Sequence, residues 1–202
     1  MSIEIRRFCG NDAHPYIKDL ARLRIEVFRE FPYLYAGSLG YESDYLRTYL
    51  DVPDSVVVIA LDGGRVVGVS TGLPLAAETD NVKQPFVDHH RDPEKVFYFG
   101  ESVLQKPYRG KGLGVRFFEE REAHARMHDR FGFTAFCAVH RDAGHHRRPA
   151  DYVPLDDFWI KRGYRKHPEL STAFSWQDLD EVSASPKLMI FWLKRITRDP
   201  AA

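Results

Sequence analysis

The stretch Tyr98-Phe-Gly-Glu-Ser-Val-Leu104, continued through Gln105-Lys-Pro-Tyr108 into Arg109-Gly-Lys-Gly-Leu-Gly114-Val115, decides how this 202-residue chain is read. An apolar run of strand character leads into alternating glycines, and an apolar-periodic helix begins near Leu113. Such a passage makes an anion cradle, because glycines let backbone N–H groups approach a ligand and the helix dipole favours negative charge at its N-terminus. The spacing excludes two other phosphate-binding devices. A dinucleotide fingerprint needs GxGxxG, but three residues after Gly112 stands Val115; a P-loop needs Ser or Thr after its Gly-Lys, and Gly110-Lys111 is followed by Gly112. A tight turn that holds no ligand also uses glycines, so spacing alone leaves that reading open.

Outward from this stretch the chain alternates strand and helix signals. Ile3 to Phe8 alternates apolar and charged residues as a short strand does, and Ala13 to Phe28 repeats apolar residues at helical spacing. That helix is expected to end near Phe31-Pro32, since proline cannot continue it. An aromatic loop, Tyr33-Leu-Tyr35, precedes a second helix over Tyr41 to Leu50. Ser55 to Leu61 and Arg65 to Leu73 form a hairpin across Asp62-Gly-Gly-Arg65, whose glycines supply the positive φ of a tight turn. Residues 76–95, polar and with prolines at 85 and 93, are expected to be irregular. Val96 to Leu104 is expected as one strand, Leu113 to Arg130 as a long helix and Thr134 to Val139 as a strand. A loop rich in His and Arg follows, from His140 to Pro154. Leu155 to Arg162 is a short helix closed by Gly163, and strands over Thr172 to Trp176 and Lys187 to Arg195 complete the order. The pattern predicts one α/β domain over residues 1–202 with a mixed sheet.

Composition narrows the class. Lys plus Arg and Asp plus Glu balance at 29 each, so no overall field draws the chain to nucleic acid or to an anionic membrane. The two cysteines, Cys9 and Cys137, lie far apart and fit neither a disulfide framework nor a cysteine zinc site. The N-terminal residues are charged from the start and no run approaches the length of a membrane span. A cytoplasmic protein is expected.

Arg109-x-x-Gly112-x-Gly114, preceded by the strand ending at Leu104, resembles the acetyl-CoA motif of the Gcn5-related N-acetyltransferases, [Gln/Arg]-x-x-Gly-x-[Gly/Ala]. Phe158-Trp-Ile-Lys-Arg-Gly163-Tyr164 is similar to that family's aromatic helix ending in Gly-Phe, and the order β-α-α-β-β-β-α-β-α-β-β matches over nearly the whole chain. The resemblance implies a twisted, mixed but mostly antiparallel sheet flanked by helices, acetyl-CoA as co-substrate, and transfer to an amine. It implies that Ser102, Val103 and Leu104 offer backbone groups to the pantetheine arm. Gly110, Lys111, Gly112, Leu113, Gly114 and Val115 would hold the pyrophosphate, with Arg109 and Lys111 adding charge. Family members often pair, so a homodimer is an expectation from the resemblance; no residue read here points to one.

Acyl transfer needs a neutral amine, and an alkylamine of pKa about 10.4 is almost wholly protonated at neutral pH. A base is therefore expected, and Glu101 is the candidate; the alternative is a structural carboxylate paired with a nearby arginine. The position where many family members carry a tyrosine, the acid for the leaving thiolate, holds Trp159, which cannot serve. Tyr152 or bulk water would take that role. Arg24, Glu30, Tyr33 and Tyr35 are candidates for acceptor recognition, and Glu78, Asp80 and Asp88 for attracting a cationic amine, unless these residues only cap the core or meet solvent. The basic loop from Arg141 to Arg148 would reach a coenzyme phosphate or an acidic acceptor, or face solvent. The acceptor is expected to be a small-molecule amine, because no accessory segment for docking a protein is evident. Gly68-Val-Ser70-Thr-Gly72 has the text of a hydrolase nucleophile elbow but sits inside an apolar strand, where no such elbow forms. The scattered histidines lack ligand spacing, so no metal is expected. A second reading stays open: a module that binds acyl-CoA without turning it over.

Overall fold

The computed structural model describes residues 3–196. The outermost residues, 1–2 and 197–202, at the ends of the unit expected over 1–202, lie outside the described residues. The strands are β1 (Glu4–Cys9), β2 (Val56–Asp62), β3 (Arg65–Pro74), β4 (Val96–Tyr98), β5 (Ser102–Leu104), β6 (Phe133–Val139), β7 (Arg165–Trp176) and β8 (Ser185–Arg195). The α-helices are α1 (Ile17–Phe28), α2 (Leu39–Leu50), α3 (Asp80–Asp88), α4 (Leu113–Met127) and α5 (Asp156–Ile160). The strands lie in the order β1-β2-β3-β4-β6-β8-β7, with β5 also on β3. Among the described residues only β4 and β6 run parallel, and the other strand pairings are antiparallel. The mixed, mostly antiparallel sheet flanked by helices is as expected.

β2 shows how its sequence serves two cores. Its residues point alternately to opposite faces. Val56, Val58 and Ala60 pack with Phe117, Phe118 and Tyr164 on the α4 side, while Val57, Ile59 and Leu61 pack with Leu20, Leu23 and Leu46 of α1 and α2. Both faces are covered, so an unbroken apolar run replaces the alternation of a half-exposed strand. The hairpin forms as read: Asp62 pairs with Arg65, and Gly63 and Gly64 take φ of 55° and 84°.

Two expectations are corrected. Residues 76–95 are not irregular but contain α3, whose Val82 and Phe86 are buried at helical spacing. Pro85 lies inside this helix and leaves the Asn81 carbonyl without its i+4 donor. Thr172 Oγ1 supplies one instead, at 2.8 Å, so a contact 91 residues away stabilises what the proline opposes. The single strand over Val96–Leu104 is two, β4 and β5, parted at Phe99-Gly100-Glu101. Phe99 N–H still bonds Ala135 O at 2.7 Å, toward β6, whereas Gly100 N–H bonds Thr71 O at 3.2 Å, toward β3. Smaller differences concern the ends. The first turn of the expected 13–28 helix belongs to a 3-10 segment, Gly10–Tyr16; α4 stops at Met127; and β7 begins at Arg165, directly after the Gly163 turn.

Candidate active site

The parting of β4 and β5 is built from both faces of the sheet. Gly100 is required by close approach: a Cβ there would lie 2.8 Å from Thr71 Oγ1 and overlap the Tyr49 hydroxyl. From the α4 side, buried Arg121 donates to Thr71 O and Glu101 O, each at 3.2 Å, and to Ser102 Oγ at 2.8 Å. Its guanidinium lies 4.1 Å from the Phe99 ring centroid. Burial pushes its pKa down to about 10, with Tyr164, Glu101 and Glu122 opposing. Nothing local in the sequence marks Arg121 as the clamp of this junction.

β5 turns one edge outward. Thr71 N–H bonds Glu101 O and Gln105 N–H bonds Val67 O, so the residues alternating with these direct their backbone groups away from β3. Ser102 and Leu104 therefore face the open edge, while Val103 is committed to β3. The Leu104 carbonyl accepts from Arg109 Nε at 2.9 Å.

The glycine loop follows as an N–H cradle. Gly110 and Gly112 have φ of 74° and 80°, the left-handed region where a Cβ is strained, and neither has an atom near its Cβ position. Gly114, inside α4, is needed for space: a Cβ there would stand 3.2 Å from Phe158 Cζ. Among the described residues, the N–H groups of Gly110, Lys111 and Gly112 meet no protein acceptor. Val115 N–H turns back to Gly112 O at 3.0 Å. Lys111 is exposed, its ammonium 5.4 Å from the Tyr108 ring. The cradle, the dipole of α4 and the outward edge of β5 suit an elongated ligand ending in phosphates.

On the α1–α2 side of the junction lies a buried charged cluster. Arg24 donates from Nε to Glu42 and from Nη1 to Glu101 Oε2. Glu101 Oε1 is buried with no hydrogen-bond partner. Burial raises the Glu101 pKa above the ordinary carboxylate value, with Arg24 opposing. Beside it, Tyr49 donates to Glu78 Oε1 at 2.7 Å and shares a 2.8 Å hydrogen bond with Tyr45. The Glu78 carboxyl is also raised by burial. Glu42, Tyr45 and Tyr49 were not singled out by sequence, although their i, i+3 and i+7 spacing on α2 puts them on one face.

The remaining sequence candidates divide between two places. Glu30 and Arg109 pair with each other, Nη1 to Oε2 at 2.6 Å and Nη2 to Oε1 at 3.0 Å, at the mouth of the glycine loop. Tyr33 packs on Phe28 and Trp176, with ring centroids 4.5 and 5.9 Å away. Tyr35 bridges to Asp178, and its pKa is raised by burial and by Glu42. Tyr152 meets Phe31 edge-on at 4.6 Å under the Arg148 guanidinium, in a cleft of about 440 Å³ at the end of β6. Glu101 does not line that cleft. Arg141, from the basic loop, donates to Pro32 O at 2.8 Å and Tyr33 O at 3.0 Å and pairs with Asp178, so it fixes the aromatic loop. Asp80 is exposed and pairs with Lys83. Trp159 packs against Phe136 and Trp192.

No protein-family model and no curated protein sequence matches the chain. Solved structures do. Ribosomal-protein-alanine N-acetyltransferase from Brucella melitensis superposes with a TM-score of 0.62 at 12% identity, covering 96% of this chain and 99% of that one. An N-acetyltransferase from Staphylococcus aureus Mu50 gives 0.60 at 11% identity, covering 98% and 100%. An acetyltransferase of the GNAT family from Streptococcus pneumoniae gives 0.58 at 12%, covering 97% and 100%. Likeness over whole chains at such low identity is a statement about architecture, and by that architecture this chain has the fold of the Gcn5-related (GNAT) N-acetyltransferases.

Proposed function

We propose that the chain is a cytoplasmic acyl-CoA-dependent N-acyltransferase that moves an acetyl group from acetyl-CoA to a primary amine of a small molecule. The observation that carries this reading is the continuity of three features: the parted strands at Gly100, the outward Ser102–Leu104 edge, and the unpaired N–H groups at the start of α4. Acetyl-CoA supplies the activated thioester. The backbone of Ser102 and Leu104 would orient its pantetheine arm, and Gly110–Leu113 would take the pyrophosphate. Glu101, at the junction, would accept the ammonium proton of the acceptor. Its free Oε1 supports that role, and its raised pKa brings it closer to the amine it must deprotonate. The amine then attacks the thioester carbon, the C–S bond breaks, and the proton that the new amide nitrogen sheds passes to the leaving thiolate through Tyr152 or water.

The test is thiol release from acetyl-CoA against a panel of amines, amino acids and polyamines. Acceptor-dependent release supports the reading. Saturable coenzyme binding with no release on any acceptor would favour the acyl-CoA-binding module instead, the alternative to which Trp159 in place of a tyrosine points.

A further inference from the structure

A second site lies at the other end of the sheet. α3 covers the face that carries Phe191, but only in part. Asn81 Nδ2 donates to Ala173 O at 2.9 Å, and this bond with that of Thr172 ties the helix over the later half of β7. The first three residues, Arg165 to His167, run beyond it. There the register gathers arginines. Arg165 pairs with Leu193 and Phe133 with Arg195, and cross-strand partners share a face. Leu193 belongs to the α3-side core with Phe86 and Phe191, so both arginines stand on that face. Arg91, from the segment after α3, closes a cleft of about 460 Å³ over Phe133 and Leu193.

Every ionisable side chain lining this cleft is basic. Lys194 is held by the buried carboxylate of Glu122 at 2.7 Å and His167 by Glu169 at 2.7 Å. Arg165 and Arg195 are exposed and have no salt-bridge partner among the described residues, while Arg91 is drawn toward the Glu169 carboxylate without pairing with it. In a chain whose charges balance overall, this cleft gathers three guanidinium groups around one apolar floor with no carboxylate among its lining residues, which favours an anion there. Guanidinium forks match phosphate and carboxylate oxygens in pairs, and the volume suits a small ligand. The glycine loop is far away: α4 has 15 residues and runs from the loop toward Phe133, a length of about 22 Å.

We infer that this cleft is a second anion-binding site, which takes a small ligand carrying at least two phosphate or carboxylate groups and is separate from the coenzyme's phosphate cradle. The test uses the full chain saturated with CoA, so that the glycine loop is filled, and titrates it by calorimetry with pyrophosphate and, separately, with citrate. One further site per chain is expected, weakened about tenfold or more when Arg165→Ala and Arg195→Ala are combined, with CoA affinity unchanged. Uptake of pyrophosphate alone identifies a phosphate ligand, and uptake of citrate alone a polycarboxylate. Should CoA itself fail to bind, the double variant still isolates the cleft, because both arginines lie at the opposite end of α4 from Gly110. The inference is overturned if neither probe binds, if the double variant binds them as the parent does, or if only a long polyanion such as an oligonucleotide binds.

Discussion

Arg24 of α1 and Glu101, just before β5, form a buried ion pair across the point where β4 and β5 part. The same guanidinium holds Glu42 of α2, so two carboxylates share one positive charge away from water. Burial weighs more than the arginine at Glu101, and the carboxyl titrates above its usual range. A base must be ionised, so kcat/KM should fall as pH drops through that raised value, at a pH above the ordinary 4.5. Glu42 contributes to the upward shift. Glu42→Gln should therefore move the acid limb to lower pH, and a limb that stays in place would remove Glu101 from the titration. Linkage gives an independent check. A carboxyl raised by folding contributes stability fully present below its unfolded pKa and lost as pH rises through the folded one. The stability of Glu101→Gln relative to the parent, measured by urea unfolding, should therefore rise with pH across that window, whatever the loss of an Arg24 partner costs.

Glu30 holds the Arg109 guanidinium that the proposed coenzyme site would use. The pair is partly exposed, with side chains 38% and 44% accessible, so it holds by no more than about 1 kcal/mol. Glu30→Gln should release Arg109 toward the phosphates and tighten CoA binding by up to about fivefold, within that energy. Arg109→Ala should weaken it. Weaker binding in Glu30→Gln would mean that the carboxylate positions the arginine rather than withholding it.

Gly100→Ala should be poorly tolerated. The new methyl overlaps the Tyr49 hydroxyl and crowds Thr71, so a loss of about 1–3 kcal/mol is expected in chemical denaturation. Pairing it with Tyr49→Phe, which removes the overlapping oxygen, should recover part of the loss. No recovery would place the strain in the backbone instead.

These examples show why the fold was legible and the charged cluster was not. The Gly63-Gly64 hairpin, the φ-positive Gly110 and Gly112, and the Gly163 turn are decided by local backbone constraints, which neighbouring residues display. α3 was hidden because Pro85 argues against a helix and the compensating Thr172 hydroxyl is remote in sequence. The break at Gly100 depends on Tyr49, and Arg24, Glu42 and Glu101 meet only once the chain is folded, 18 and 77 residues apart. Sequence named Arg24, Glu30, Glu101 and Arg109 as single candidates. For Glu101 it offered pairing with a nearby arginine as the alternative, but it could not say that the arginine is Arg24, nor that Glu30 and Arg109 pair with each other.

Acid should loosen the aromatic loop through Glu181. Its carboxylate accepts from Asp178 N–H at 2.9 Å and from Lys187 Nζ and Ser185 Oγ at 2.7 Å, and these bonds lower its pKa to about 2. Asp178 in turn anchors Arg141, which holds Pro32 and Tyr33. A depressed carboxylate contributes stability above its unfolded pKa, near 4.5, that is lost as pH falls toward about 2. Glu181→Gln should lower Tm at neutral pH, with the difference closing over that window. A difference that persists at pH 2 would assign the effect to shape, not charge.

The most direct test is Glu101→Gln in the full chain, with coenzyme affinity and turnover measured on the same preparation at neutral pH. CoA should bind within about twofold of the parent, because the phosphate cradle and the outward edge of β5 are untouched, while kcat on the best acceptor falls by about 10²- to 10⁴-fold. An unchanged kcat would make Glu101 a structural partner of Arg24 and nothing more.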